Sequence, residues 1–483
     1  MTTLYWLLSA AVVAADVLAT GHAVLFKRDV RSAIGWVCAI WLAPGFGAAF
    51  YLLFGINRIQ RVAHRLRRRR RYSPRFVDHT RGKEVSSDDA ALPAEAEHLR
   101  AFARLGAKVS EDGILPGNRV EPLFNGEQAY PAMLDAIGAA RSTISLSIYI
   151  FNFDRVGEKF VKALGDAVAR GVQVRVILDD IGSRRYAWHT VVGPLRRAGV
   201  PTERFLPKLF PRYFAYANLC NHRKILVVDG RIGFTGGINI SEGHDHSLRP
   251  DHPIQDLHFR IEGPVVATMQ EVFAEDWSFC SGEKLDGNEW FPALDPVESS
   301  TRIVARGIRS GPDEDLERIR LIYLGALSAA RSRVRIMTPY FLPDGALVSA
   351  LNIAALRGVQ VDILLPEESD LRLVRWASTA HLASVLEYGC RVWFTPPPFQ
   401  HTKLFLVDGV WTCFGSANWD PRSLRLNFEF NVECFDGPLA EMLEAKVERV
   451  LADSRRFTLK DFEARPLPVK LRDGVARLLT PYL

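Results

Sequence analysis

The sequence predicts an α/β protein of two repeated halves, with mostly parallel sheets packed about a pseudo-twofold axis, preceded by an N-terminal transmembrane helical hairpin. Three observations predict it: two long apolar runs near the N-terminus, an internal repeat through the rest of the chain, and short β-rich runs separated by a helical pattern. The 483 residues, 48% apolar and 24% charged, exclude one small domain, a collagen-like chain and a disordered one. Six cysteines (38, 220, 280, 390, 413 and 434) form no C-x-x-C pair, which favours a reducing compartment.

The hairpin comes first. Leu4–Phe26 runs 23 residues with Asp16 as its only formal charge, and Ala33–Phe54 runs 22 with none. At about 1.5 Å per residue each is long enough for a hydrocarbon core of about 30 Å. Tyr5, Trp6, Trp36 and Tyr51 lie near the run ends, where amphipathic rings favour the interface. Asp16 is costly there unless it is paired or faces protein. Residues 1–75 carry a local net of +10 within a total of +6, so the other 408 residues carry −4. Nine arginines, Arg58 to Arg75, follow the second run, which places them and the body that follows on the cytoplasmic side. The run Arg67–Arg71 reads either as a solvated stop signal or as a patch for an anionic leaflet. The acidic body offers no basic track for nucleic acid, so none is expected as a partner.

Composition then divides the chain into an anchor with its arginine collar (1–75), a polar linker (76–118), a first half (119–300) and a second half with a C-terminal tail (301–483). Ala139-Ala140-Arg141-Ser142 and the β-rich run after it recur as Ala329-Ala330-Arg331-Ser332, an offset of 190. Arg170-Gly171-Val172-Gln173-Val174 recurs as Arg357-Gly358-Val359-Gln360-Val361, an offset of 187. Between them Val156, Phe160, Val161, Leu164 and Val168 share one helical face, and Val172–Leu178 and Val359–Leu365 read as buried strands. Strand, helix, strand in series predicts the largely parallel sheet. In the tail, Leu471, Val475, Leu478 and Leu479 form an apolar stripe that either touches membrane or packs on the body.

A third echo carries the chemistry. His222-x-Lys224-x4-Asp229 matches His401-x-Lys403-x4-Asp408 at an offset of 179, and Gly236-Gly237-Ile238-Asn239 matches Gly415-Ser416-Ala417-Asn418 at the same distance beyond. Residues i and i+2 of a strand share a face, so each His emerges beside its Lys. Asp229-Gly230 and Asp408-Gly409 are hairpin signals, which makes both aspartates either turn-formers or chemical groups. A neutral imidazole can attack phosphorus while a protonated partner donates to the leaving oxygen. Lysines and asparagines can hold the non-bridging oxygens. No metal or other cofactor is expected, since a lysine two places from each His repels a cation. His244-Asp245-His246 reads as a solvent-exposed polar segment.

These residues identify a resemblance. The duplicated H-x-K-x4-D-x6-G-[GS]-x-N is similar to the phospholipase D superfamily, and nearest to the membrane-anchored bacterial cardiolipin synthases. The likeness extends to Tyr51-Leu52-Leu53-Phe54-Gly55, Asp179-Asp180-Ile181-Gly182-Ser183, Thr338-Pro339-Tyr340-Phe341, Asn418–Ser423 and the tail from Arg465. It implies transfer of a phosphatidyl group from one phosphatidylglycerol to another, with glycerol released, through a phosphatidyl-histidine. His222 would be the nucleophile and His401 the acid and then the base, with Lys224, Lys403, Asp229 and Asp408 completing the catalytic set. Asn239, Asn418, Gly237 and Ser416 would hold phosphate, and Asp256 and Glu429 would orient the imidazoles. The chain departs from the family at Ser241–His246 and at His252-Pro253-Ile254, near the acceptor or headgroup region, so a phospholipase D or another phosphatidyl transferase is the alternative.

Overall fold

The computed structural model describes residues 2–27, 30–55, 92–110, 112–185, 190–206, 219–294, 303–312 and 317–480. The chain divides into two compact units, Met1–Leu66 and Arg67–Leu483. The arginine collar Arg58–Arg75 and residues 76–91 of the expected linker lie outside the described residues.

In the first unit, α1 (Thr2–Phe26) is long and apolar enough to cross a membrane, and it is the one such helix among the described residues. The second apolar run is not one helix. It breaks after α2 (Val30–Leu42) and resumes only as α3 (Phe46–Phe50) and a π-helical turn (Tyr51–Gly55). Pro44 lacks an N–H and cannot continue the helix, and Gly45 follows at φ +77°. The Gly45 N–H donates to the Asp16 carboxylate at 3.1 and 3.2 Å. Asp16 is buried, so the charge in the first run is matched to the break in the second. Trp41 Nε1 donates to Thr20 Oγ1 at 3.1 Å, and His22 Nδ1 lies 2.8 Å from the Tyr51 hydroxyl.

The second unit is built on one fifteen-stranded sheet. The first-half strands are β1 (Leu115–Phe124), β2 (Thr143–Ile148), β3 (Gln173–Asp179), β4 (Thr202–Phe205), β5 (Ile225–Val228), β6 (Ile232–Gly236) and β8 (Leu257–Glu262), with a short β7 (Ile254–Gln255) outside the sheet. The second-half strands are β9 (Ile303–Ser310), β10 (Arg333–Met337), β11 (Gln360–Pro366), β12 (Arg391–Thr395), β14 (Leu404–Val407), β15 (Trp411–Gly415), β16 (Glu429–Phe435) and β17 (Arg455–Phe457). Here β13 (Phe399–Gln400) pairs in parallel with β7. From the centre outward the order is β1-β8-β6-β5-β2-β3-β4 on one side and β9-β16-β15-β14-β10-β11-β12 on the other, with β17 at the far edge.

The sheet is mixed rather than mostly parallel. Only β2-β3-β4 and β10-β11-β12 run parallel within it. The Asp-Gly turns fold β5 onto β6 and β14 onto β15, and the strands towards the centre add further antiparallel pairs. Both turns hold positive φ at Asp and Gly (Asp229 +52°, Gly230 +61°; Asp408 +54°, Gly409 +67°), the geometry that matches strand twist in a two-residue hairpin.

The buried strands alternate between two cores. Leu226 and Val228 face the outer core of the first half, and Phe405 and Val407 that of the second. Ile225, Val227, Leu404 and Leu406 share a central core with Phe259 and Phe414, whose rings stack at 3.5 Å. The described part of the expected linker is folded: Arg100–Ser110 is helical, and Phe102 packs edge-on against Trp411 at 5.3 Å. Arg104 and Lys108 are exposed while Leu99, Phe102 and Ala103 enter the second-half core.

Candidate active site

The two His-Lys segments precede β5 and β14, and each is stitched to the opposite half. The His222 N–H donates to Phe428 O at 2.9 Å, and the Phe428 N–H returns to Cys220 O at 2.9 Å. The His401 N–H donates to Gln255 O at 2.7 Å, continuing the pairing of β13 with β7. Backbone pairing across the junction brings both histidines to one cleft of about 1200 Å³, which Asn239, Asn418, Tyr149 and Tyr340 also line.

The imidazoles are held by carboxylates from across the junction. His222 Nδ1 lies 3.0 Å from Glu429 Oε2 and 3.1 Å from Ser416 O, and His401 Nδ1 lies 2.7 Å from Asp256 Oδ2. A proton on Nδ1 satisfies these acceptors and leaves the Nε2 lone pair for chemistry. Glu429 also accepts from Ser416 Oγ at 2.5 Å and Asn427 Nδ2 at 3.1 Å, and Asp256 from the Leu257 N–H at 2.8 Å. The two carboxyls are pushed in opposite directions. Burial raises Asp256 above the ordinary range, with Lys403 opposing. Burial also pushes Glu429 up, but His222, Lys224 and Ser416 together carry it below its ordinary value.

Both lysines are buried and curl back on their own segments. Lys224 Nζ donates to His222 O at 2.9 Å, and Lys403 Nζ to His401 O at 2.6 Å. Burial, then the charge of Lys403, pushes Lys224 down to about 7. Burial pushes Lys403 down to about 8 against the pull of Asp256 and Glu429. Burial and the two ammonium groups hold His401 well below the imidazole range. His222 is lowered by burial against the pull of Glu429. The cleft thus buries two lysines whose charged forms are disfavoured there, an environment that an anionic phosphodiester relieves.

The remaining sequence-predicted residues separate by position. Asn239 and Asn418 line the cleft; Asn239 Oδ1 accepts from the Ile150 N–H at 3.2 Å, and Asn418 Oδ1 has no partner among the described residues. Asp229 and Asp408 do not line it. Asp229 accepts from the N–H groups of Arg141, Ser142 and Thr143 at 2.7 to 3.2 Å, and Asp408 from those of Arg331, Ser332 and Arg333 at 2.8 to 2.9 Å. Each aspartate therefore ties its hairpin to the Ala-Ala-Arg-Ser turn, and the two echoes recur together because they are hydrogen-bond partners. Gly237 and Ser416 do not line the cleft either and stand against the carboxylates. A Cβ on Gly237 would meet Asp256 Oδ1 at 2.1 Å, and the Ser416 hydroxyl donates to Glu429.

Sequence reasoning missed three features. His244 is buried rather than exposed and lines the cleft, its ring 6.2 Å from that of His401. The Asn239 N–H points to His244 Nε2 at 3.4 Å, and burial pushes the imidazole down to about 3. Tyr130 OH pins this loop at the carbonyls of Asn239 and Ser241, both at 2.7 Å. Behind His222, Arg223 is fully buried against Asp276, both Asp276 oxygens 2.7 Å from Nη1. Asp179 holds the Asn221 N–H at 2.7 Å, which fixes the start of the His222 segment. A second cation set between His222 and Lys224, just before an apolar strand, was the available signal for Arg223; the polar composition around His244 hid its burial. Among the described residues no group of three or more His, Cys, Asp or Glu side chains is arranged to hold a metal ion.

Comparison with known proteins follows this geometry. Residues 133–277 and 323–451 match the family described as "Cardiolipin synthase, PLD-like domain", and residues 14–55 match "Phospholipase D-nuclease N-terminal". A cardiolipin synthase of Geobacillus thermodenitrificans is 32% identical over 95% of this chain and 90% of its own length. Cardiolipin synthase A of Pseudomonas aeruginosa is 33% identical over 100% of this chain and 97% of its own. The solved structure of phosphatidylserine synthase from Haemophilus influenzae shares the fold, with a TM-score of 0.59 at 13% identity over 79% of this chain and 100% of that one.

Proposed function

The chain belongs to the cardiolipin synthase family of the phospholipase D superfamily, a family of phosphatidyltransferases, and from that premise we propose that it joins two phosphatidylglycerol molecules into cardiolipin and glycerol. The observation that carries this reading is the pair of imidazoles in one cleft, each held at Nδ1 by a carboxylate from the other half.

In the first step His222 Nε2 attacks phosphorus, the bond to the glycerol oxygen breaks, and His401 gives that oxygen its proton. A phosphatidyl-histidine and free glycerol result. In the second step the hydroxyl of another phosphatidylglycerol passes its proton to His401 and attacks phosphorus, and His222 leaves. Lys224, Lys403, Asn239 and Asn418 hold the non-bridging oxygens and offset the charge that builds on them. The phosphate charge also counters the two ammonium groups that depress His401, so substrate binding raises its affinity for the proton it must donate. Asp229 and Asp408 serve the fold.

The matching strand order of the halves supports a pseudo-twofold axis at the junction. The arginine excess after the second apolar run supports an inner-membrane protein with a cytoplasmic body and two crossings, the second through the broken segment Val30–Gly55.

A second reading, with another acceptor, is favoured by one observation: Ser241, Glu242, Gly243, His244 and His252, where the chain departs from the family, all line the cleft. One assay separates the readings. Full-length protein is reconstituted with phosphatidylglycerol, and products are followed by mass spectrometry. Cardiolipin with equimolar glycerol is expected. Phosphatidic acid as the only product overturns the synthase, and efficient capture of added alcohols favours a broader transferase.

A further inference from the structure

The C-terminal helix Leu467–Leu478 carries its apolar residues on the wrong side for a core helix. Leu467, Leu471, Val475 and Leu478, at i, i+4, i+8 and i+11, are 67, 61, 62 and 73% exposed. The face turned to the body holds Asp473 and Ala476 instead. Packing on the body thus uses the opposite face and leaves the stripe uncovered, with Leu479 extending it.

Two further observations say what covers it. The first is charge. Every exposed charged residue on this helix and on its neighbour Arg372–His381 is basic: Lys470, Arg472 and Arg477 on one, Arg372 and Arg375 on the other. The acid of the pair, Asp473, is buried and held by Arg465 at 2.6 Å and Arg472 at 2.8 Å. An apolar stripe flanked by cations is the pattern of a helix that lies in a lipid interface, its leucines among acyl chains and its bases at anionic headgroups. The second is continuity with the cleft. Ala476 packs with Val374, Ala377 and Leu342, and Arg472 stacks over Trp376 at 4.6 Å. Leu342, Arg372, Leu373 and Val374 are themselves lining residues of the cleft. The stripe, uncovered among the described residues, therefore lies on a helix packed against Arg372–His381, whose first turn lines one wall of the cleft.

We propose that the helix Leu467–Leu478 is an interfacial docking element that seats this wall of the catalytic body on an anionic lipid surface. Its role is distinct from that of α1: it orients the body so that a lipid headgroup reaches the cleft without its acyl chains leaving the bilayer. The docking does not depend on the proposed reaction; only the kinetic arm of its test rests on that reading.

The test uses the full chain in vesicles. A Val475→Cys variant in a Cys38→Ser, Cys280→Ser background carries a nitroxide, and its collisions with oxygen and with a water-soluble nickel chelate are compared in vesicles with and without 30% anionic lipid. Entry of the label into the apolar layer only with anionic lipid is the expected result. A label that stays in water in both membranes overturns the proposal. So does a label shielded in both in proportion to protein density, which means a second copy covers the stripe. In the kinetic arm, Leu471→Glu/Val475→Glu is expected to lower turnover of vesicle-embedded phosphatidylglycerol about tenfold while leaving a dispersed short-chain analogue within about twofold. Equal loss on both substrates overturns the docking role. If no variant turns over phosphatidylglycerol, the reaction fails while the label still reports the docking.

Discussion

The two halves present the same reacting groups on different supports. The His222 segment is anchored by a buried ion pair, Arg223 with Asp276, and Arg223 Nε also donates to Glu429 O at 3.2 Å. The residue matching Arg223 is Thr402, a neutral group whose hydroxyl donates to Gln400 Oε1 at 2.7 Å. Behind the carboxylates, Gly237 leaves bare space for Asp256 where Ser416 gives Glu429 a hydrogen bond. The outcome is one carboxyl raised and one lowered around two like imidazoles. Groups pushed apart by their surroundings can take different roles in acid–base work, and the proposed division between His222 and His401 rests on that difference in support.

The largest break in that comparison is removal of either histidine. With natural lipid both His222→Ala and His401→Ala are expected to lose on the order of 10⁴-fold or more in kcat. A substrate with a p-nitrophenol leaving group separates them, because its departure needs no proton. Release of one equivalent of p-nitrophenol by His401→Ala and none by His222→Ala is the expected burst. The reverse pattern exchanges the roles of the halves.

Next comes the buried ion pair. Asp276→Ala leaves a guanidinium uncompensated in the interior and is expected to cost about 3–5 kcal/mol in denaturant unfolding. Thr402→Val is expected to cost under about 1.5 kcal/mol, since it removes one neutral hydrogen bond. Equal costs would mean that the halves are supported alike.

Much of this was legible in the sequence, for definite reasons. Continuous apolar runs and identical spacing marked the His-Lys segments, their strands and the hairpin turns, because these signals are local and recur in both halves. The carboxylates were not legible from pattern, since Asp256 and Glu429 stand 145 and 207 residues from the imidazoles they hold; only the resemblance pointed to them. That Gly237 and Ser416 lie against those carboxylates was hidden for the same reason: their partners are remote. The strands were read as mostly parallel because fully buried runs look alike in either direction, and the antiparallel pairs form between distant segments. Ala43-Pro44-Gly45 carried an explicit breaker signal, but the uniform apolar composition around it masked the break.

A smaller effect separates the two lysines by pH. Burial pushes Lys224 down to about 7 and Lys403 down to about 8, well below the ordinary 10.5. Values of kcat/KM report the free enzyme, so they are expected to fall in two limbs, near pH 7 and near pH 8, as phosphate loses its counter-cations. Lys224→Arg keeps its charge and should leave only the upper limb. Stability runs the other way. Between the folded values and 10.5 the unfolded chain binds more protons, so the unfolding free energy contributed by these lysines rises with pH across that window. Activity and stability that rise together above pH 8 would contradict this assignment.

The least expected effect concerns a cleft residue whose counterpart in the other half is unlike it. His244 stands five residues after Asn239, and Ser423 stands five after Asn418. Burial pushes the His244 imidazole down to about 3, which favours its neutral form in the cleft. Its contribution is then shape and the contact with the Asn239 N–H, both acting on the loop where the chain departs from its family. His244→Ser makes this loop resemble the other half and is expected to raise KM for the acceptor about threefold, with kcat and the form of the pH profile unchanged. Acceptor choice should widen in alcohol-competition assays. A lost limb in the pH profile would instead mean that His244 titrates during turnover, and the two halves would then differ in their chemistry as well as in their supports.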